Sequence, residues 1–357
     1  MAGGSGPPPA ADAENTASPL KTGAGFDEMG ELCLVTGANG FVGSHLVEEL
    51  VRRGSRVRAL VRKTSDTRWV DDTQAERALG DVTDAASLGP ALEGCGCVFH
   101  VAGVIKARDR ETYLKVNAGG TAALLEACAR MNRPPRRFVL VSSLAAGGPS
   151  GRGPAVVESD PPRPISFYGE SKLKAEELAA KHFDRLPIVI VRPPVIYGPR
   201  EVDIFEYIKT AARFGLVLAA GPFDSPLSMA HVRDVVEGLI LAAKSDARGE
   251  VYYIAGPDVA TWGDVGDAIG VALKRKLRRL RVPLPLTRLL AAASEVQSAI
   301  TRKPALLNRE KVREILADGW VCNIDKARAQ LGFQPRVGIR EGIRETIEWY
   351  RAQGWMK

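Results

Sequence analysis

Histidine is scarce in this chain of 357 residues, with four spread along its length, and the five cysteines never fall at C-x-x-C spacing. Zinc arrays and dithiol redox pairs are thereby excluded, and no metal is expected. Cys33, Cys95, Cys97, Cys128 and Cys322 sit among apolar neighbours, which reads as small core residues in a reducing compartment. No apolar run reaches the roughly 20 residues that cross a bilayer. Nothing interleaves aromatic and basic residues as a nucleic-acid surface would, so the net charge of +7 is too diffuse to indicate that partner. It favours phosphorylated ligands or anionic surfaces instead. The first basic residue is Lys21, and no apolar stretch precedes it, so no secretory leader and a cytoplasmic location are expected. Residues 1–29, rich in Gly, Pro, Ala and Ser, read as a disordered tail.

What the chain does have is an ordinary globular composition, 45% hydrophobic and 25% charged, with length for one large or two modest domains. Its organising stretch runs from Glu31 to His45. An apolar strand, Leu32–Val35, gives way to glycines at 37, 40 and 43 and then to a helical pattern through Leu46, Val47 and Leu50. A helix N-terminus presents unpaired N–H groups and a partial positive charge, and glycines allow a pyrophosphate close approach. The turn Gly37, Asn39, Gly40, Phe41, Val42 and Gly43 is therefore a candidate dinucleotide cradle. Two residues separate its first pair of glycines, unlike G-x-G-x-x-G.

Downstream, strand-like and helix-like segments alternate as in an α/β fold with a Rossmann, doubly wound parallel sheet. Strands are predicted at Val57–Val61, Cys97–Val101, Phe138–Val141, Ile188–Val191 and Val251–Ile254, with helices at Gly43–Arg53, Ala85–Leu92, Tyr113–Met131 and Tyr168–Phe183. Residues 30–196 would form the dinucleotide-binding domain, with later segments such as 225–256 returning to it. From 197 to 357 the texture becomes that of a smaller, mostly helical substrate domain, with helices at 204–214, 232–244, 262–273 and 340–351.

Several residues carry chemistry. Arg62 and Lys63 follow the second strand, where NAD-preferring sites place an acid on the ribose 2′-hydroxyl. A guanidinium and an ammonium attract a 2′-phosphate, so NADP is expected, with NAD the alternative. Asp81, with Val82 beside it, follows the third strand and can accept from the adenine amine, whereas Asp84 reads as a helix N-cap. Ala102 and Gly103 leave room for the cofactor ribose. His100, embedded in an apolar strand, reads as a core or supporting residue rather than a base. Tyr168 and Lys172, four apart, share a helix face, so the ammonium can stabilise a phenolate. Ser142 and Ser143 end the preceding strand, and a hydroxyl there could hydrogen-bond a substrate carbonyl.

In this order, Thr36-Gly-x-x-Gly40-x-x-Gly43, Asp81, Asn117, Ser143, Tyr168, Lys172 and Arg192-Pro-Pro-Val-Ile-Tyr-Gly198 resemble the motifs of an extended short-chain dehydrogenase/reductase of the epimerase/dehydratase superfamily. The likeness covers nearly everything from Leu32 to the C-terminus. It implies hydride transfer at a carbon bearing oxygen, with Ser143 polarising the carbonyl and Tyr168 passing the proton. Lys172 would tune the phenol and hold the nicotinamide ribose, and Pro193, Pro194 and Val195 would lie against the ring. Ser143 is preferred to Ser142 as the later serine of the pair, and Asn117 reads as a structural hydrogen-bonder. Pairing into a homodimer through the Tyr-Lys helix is common in such a family.

Three branches compete. Dehydratases carry Asp-Glu directly after the catalytic hydroxyl, where Leu144 and Ala145 stand. Nucleotide-sugar epimerases remain an alternative, and a sensor or scaffold that keeps only the cofactor pocket is a third class. Val57-Arg-Ala-Leu-Val-Arg62 and the Pro/Leu-rich 282–300 segment are most similar to dihydroflavonol and 3β-hydroxysteroid type reductases, which implies a hydrophobic small-molecule substrate. Within 274–300, six basic residues of Lys274–Arg281 precede a helix with Leu286, Leu289, Leu290, Ala293 and Ile300 on one side. That pattern admits either a packed helix after a solvated turn or a peripheral membrane contact.

Overall fold

A computed structural model describes residues 30–301, 305 and 307–356; the tail over 1–29 lies outside the described residues. Twelve strands follow one another, here numbered β1 (Leu32–Thr36), β2 (Arg56–Val61), β3 (Glu76–Leu79), β4 (Cys95–His100), β5 (Arg137–Val141), β6 (Ile188–Arg192), β7 (Val195–Tyr197), β8 (Leu216–Ala219), β9 (Pro226–His231), β10 (Glu250–Tyr253), β11 (Val259–Thr261) and β12 (Arg278–Arg281). Seven of them build one sheet in the order β10-β6-β5-β4-β1-β2-β3, every pair parallel. Apolar runs form its centre because both faces are covered. Along β5 and β6, Val139, Val141, Val189 and Val191 face one core layer, and Phe138, Leu140, Ile188 and Ile190 face the other.

Helices Phe41–Arg52 and Val232–Lys244 contribute to the first layer. Gly120–Ala129 and Phe167–Ala180 contribute to the second. The strand order reverses between β1 and β4, which opens a crevice at the carboxyl ends of the strands.

Three features differ from the sequence expectation, the first being that the helix expected over Ala85–Leu92 is a 3-10 turn, Ala85–Ser87, followed by a short helix, Leu88–Leu92. The helix expected over Tyr113–Met131 is Arg110–Tyr113, a π-helical stretch Leu114–Gly119, and Gly120–Ala129. This widened turn carries Asn117, whose Nδ2 donates to Val104 O (3.1 Å) and Ser171 Oγ (2.9 Å), while Val104 N donates to Asn117 Oδ1 (2.8 Å). Asn117 thus staples the loop after β4 to the tyrosine helix, as a structural hydrogen-bonder does.

Beyond residue 197 the helices Val202–Phe214, Trp262–Ala272 and Ile339–Ala352 are joined by two small sheets, β11-β9-β7 and β12-β8. Their shared core holds Ile208, Val265, Ile269, Ile343, Ile347 and Tyr350. β10 carries the chain back to the edge of the large sheet beside β6. Among the described residues, no helix is long and apolar enough to cross a membrane.

Candidate active site

The glycine turn closes β1 against β4. Gly37 has φ 66°, in the left-handed region, and a Cβ there would lie 2.8 Å from the Cα and N of Ala102. A Cβ on Gly43 would lie 2.1 Å from Gly37 O. Both positions therefore require glycine: one lets the turn meet the end of β4, the other lets the helix meet the turn. Gly40 N donates to Gly37 O (3.0 Å), and Gly40 caps helix Phe41–Arg52 with no side chain on its N-terminus. The first N–H groups of that helix, those of Phe41, Val42 and Gly43, thus have no intrahelical acceptor and suit a pyrophosphate. Asn39 is half-buried beside them.

Thr36 and His100 support the turn from below. His100 Nδ1 meets Thr36 Oγ1 at 2.8 Å and Nε2 meets Thr121 Oγ1 at 2.9 Å, while Ala102 N donates to Thr36 Oγ1 (3.1 Å). Burial pushes the imidazole down to about 3, with the Lys172 charge adding to it. His100 is therefore neutral at physiological pH and holds the wall of the site.

Arg62 and Lys63 are exposed just past β2. Arg62 N donates to Ser65 Oγ (3.2 Å), which turns the backbone there. Among the described residues neither cation's side chain has a hydrogen-bond or ion-pair partner. Asp81 accepts from Thr83 N and Thr83 Oγ1, both at 2.8 Å, through the same carboxylate oxygen, Oδ1. Val82 is buried, in tight contact with Gly120, where an added Cβ would come within 2.8 Å of Val82 Cγ2. Asp84 accepts from Ala86 N (3.2 Å) and caps the turn that follows.

The serine pair divides at the end of β5. Ser142 is buried and donates to Glu176, which holds Arg192 through Nε (2.9 Å) and Nη2 (2.6 Å). Arg192 Nη1 in turn donates to the Tyr253 hydroxyl (3.0 Å). Ser142 thus belongs to a buried network beneath the site. Ser143 caps the short helix Leu144–Gly147, accepting from Ala145 N (3.1 Å), and its hydroxyl acts on the Tyr168 phenol, whose pKa it pulls down. Leu144 N donates to Pro193 O (2.8 Å), which draws Pro193 and Pro194, both buried, and the more exposed Val195 alongside.

Tyr168 lies in the first turn of helix Phe167–Ala180, with Lys172 one turn on. Burial pushes the phenol up to about 12, and the Ser143 hydroxyl pulls it down. Lys172 is 6% exposed and donates to Val141 O (2.7 Å). Burial pushes its ammonium down to about 8, with Glu176 pulling it up. A Cβ on Gly103 would lie 3.5 Å from Lys172 Nζ and 3.1 Å from Asn117 Oδ1, so only a residue as small as glycine leaves this approach open.

Other neighbours were not legible in the sequence. Helix Arg309–Leu316 brings Glu314 Oε1 to the Ser166 hydroxyl (2.5 Å) and Glu310 Oε2 to Phe167 N (3.1 Å), while Arg313 donates to Ile165 O (3.2 Å). The Tyr113 ring stands 6.2 Å from that of Tyr168, and Glu314 raises the pKa of both phenols. A carboxylate pair at i, i+4 was the available signal; what it would meet, well over a hundred residues away, was not. Beside Ile165 opens a cavity of about 860 Å3, walled by Pro149, Ile165, Arg288, Ala291, Val312 and Leu316. Among the described residues no three His, Cys, Asp or Glu side chains gather as a metal site.

A model of the NAD dependent epimerase/dehydratase family matches residues 33–255. Ceramide reductase of Caulobacter vibrioides is 33% identical over 323 residues, covering 90% of this chain and 95% of that protein. Sterol demethylase protein B of Methylococcus capsulatus is 30% identical over 332 residues, covering 90% and 98%. The solved structure of MoeE5 in complex with UDP-glucuronic acid and NAD aligns with a TM-score of 0.72 at 28% identity, over 90% of this chain and 99% of that one.

Proposed function

The chain belongs to the NAD dependent epimerase/dehydratase family, and from that membership we propose that it reduces a hydrophobic ketone, steroid-, flavanone- or β-keto-lipid-like, to its alcohol, or runs the reverse, with NADP(H). The observation that carries this reading is Tyr168 in the first turn of its helix with the buried Lys172 one turn on, its phenol under the influence of the Ser143 hydroxyl. The mainly apolar walls of the 860 Å3 cavity beside Ile165, shortly before Tyr168 in the chain, support the substrate class, as do the names of the ceramide and sterol relatives.

When bound, the reduced nicotinamide supplies a hydride to the carbonyl carbon. Ser143 donates a hydrogen bond to the carbonyl oxygen as charge develops on it. Tyr168 passes its proton to that oxygen, and the Lys172 ammonium stabilises the phenolate left behind. For alcohol oxidation the same groups act in reverse. The N-terminus of helix Phe41–Arg52, which no side chain covers, would hold the pyrophosphate, Asp81 would accept from the adenine, and Arg62 and Lys63 would meet the 2′-phosphate. Residues 197–357 mainly shape the substrate side.

A nucleotide-sugar epimerase is the second reading, supported by the likeness to MoeE5 with its bound UDP-glucuronic acid and NAD. One panel separates the two: NADPH and NADH oxidation against steroid, flavanone and long-chain β-keto substrates, beside nucleotide-sugar epimerisation. We expect NADPH-dependent turnover of a hydrophobic ketone, with Tyr168→Phe lowering kcat by about 10²–10⁴-fold at unchanged cofactor affinity. Unchanged activity in Tyr168→Phe overturns the mechanism, and an NADH preference overturns the role of Arg62 and Lys63. Epimerisation of nucleotide sugars alone selects the second reading.

A further inference from the structure

Helix Leu284–Thr301 is packed with its large apolar residues outward. Thr287, Ala291 and Ser298 are buried. Leu286, Leu289, Leu290, Val296 and Ile300 are exposed, at 45, 65, 51, 61 and 78%. At 100° per residue these five, with Ala293, fall within a stripe about 120° wide, the width of a face that normally meets a core. An ordinary surface helix is arranged the other way round.

The strand just before it continues the surface. In β12, Leu280 pairs with Leu218 of β8, and both are exposed, at 50% and 38%. From Val271 to Thr301 the basic residues are Lys274, Arg275, Lys276, Arg278, Arg279, Arg281 and Arg288, and the one acid is Glu295, which is paired with Arg309. Arg279 is held by Asp267 (2.8 Å), and Arg275 donates to Ala212 O (2.5 Å). Among the described residues the side chains of Lys274, Lys276, Arg278, Arg281 and Arg288 have no hydrogen-bond or ion-pair partner.

We infer that this face, β12 with the outward stripe of helix Leu284–Thr301, docks on a bilayer surface bearing anionic headgroups. The unpaired cations take the phosphate layer, and the leucines, Val296 and Ile300 enter the acyl boundary, lying in the interface rather than spanning it. Charge selects this occupant over a second copy of the chain. A two-fold pairing through this face would set one cluster of cations against its twin. Ala291, on the inward side of the same helix, is part of the cavity wall, with Arg288 at its edge, so docking would set that cavity directly beneath the lipid. The surface stands apart from the reductase reading and can hold where that reading fails.

Flotation of the full chain with phosphatidylcholine vesicles, with and without phosphatidylglycerol, at low and high salt, tests it. We expect binding to the anionic vesicles that weakens as salt rises. Arg278→Gln with Arg281→Gln lowers partitioning by about 25-fold, close to fivefold per charge. Leu289→Ser with Leu290→Ser lowers it at least about tenfold. All four positions are exposed, and circular dichroism checks that both variants fold. Absence of wild-type binding to anionic vesicles at low salt overturns the proposal, as does flotation of both variants at wild-type level. A concentration-dependent dimer that Leu289→Ser with Leu290→Ser dissolves, with no flotation, identifies a self-interface instead.

Discussion

Lys172 is a primary amine in a site that shields it almost fully from water, and its ionisation sets the pH range of the proposed chemistry. With its pKa pushed down to about 8 by burial, the amine is charged below that pH and neutral above it. A neutral amine no longer favours the phenolate, so kcat in either direction should fall as pH rises through about 8. Lys172→Arg keeps the charge, since guanidinium does not lose its proton in this range. Its kcat is expected to be roughly 10- to 100-fold lower for poor fit, within the range of a misplaced catalytic group, but without the limb near pH 8. Profiles of kcat from pH 6 to 10 for both proteins check this, and an unmoved limb in Lys172→Arg would remove the amine from the account. At this scale the sequence was most informative for residues whose type and spacing are themselves the signal, such as Tyr168 with Lys172 and the three glycines. It offered no geometry to separate Ser142 from Ser143, because the difference lies in Glu176 and Arg192, which reach that strand end only in the folded chain.

Among the elements, helix Phe167–Ala180 is tied to β6 and β10 by the Glu176–Arg192 pair. The two side chains are 7% and 6% exposed, and Tyr253 of β10 accepts from the same guanidinium. Removing one charge strands the other in a dry interior, which typically costs about 3–5 kcal/mol. Glu176→Gln should therefore lower the urea midpoint of unfolding by that equivalent, and adding Arg192→Met should recover part of the loss. A midpoint equal to wild type in the single variant would contradict a charge held out of solvent. Elements were legible in proportion to their burial. β1, β5 and β6 announce themselves as apolar runs, whereas β12 is four residues of which three are arginine, and β9 opens on a proline. The π-helical stretch around Asn117 was hidden because Leu114–Gly119 carries the pattern of a continuous helix; only the loop after β4 reveals why one residue is inserted.

Across the molecule, three buried or half-buried imidazoles resist protonation. His100 and His231 are pushed down to about 3 and His45 to about 4, chiefly by burial, with nearby cations adding to it. An unfolded chain protonates its histidines near 6.5. The unfolded state thus binds more protons, so the contribution of these groups to stability is fully present above pH 6.5 and is lost as pH falls toward 3. At pH 5 the fully buried His100 and His231 should each account for about 2 kcal/mol of that loss. Calorimetry from pH 7.5 to 4.5 should show Tm dropping steadily, and more shallowly in His100→Gln, whose amide takes no proton. A flat Tm between pH 7 and 5 would count against it.

The position of β10 also governs how the chain can be made. β6 is complete at Arg192, but its outer neighbour begins at Glu250. On a ribosome adding about 5–20 residues per second, the strand Ile188–Arg192 would wait roughly three to twelve seconds with one row of amides and carbonyls uncovered. That row is a ready template for another nascent chain on the same message. The run Ile-Val-Ile-Val, harmless once sealed, makes the interval between these two strands the time when a trigger-type chaperone has most to protect.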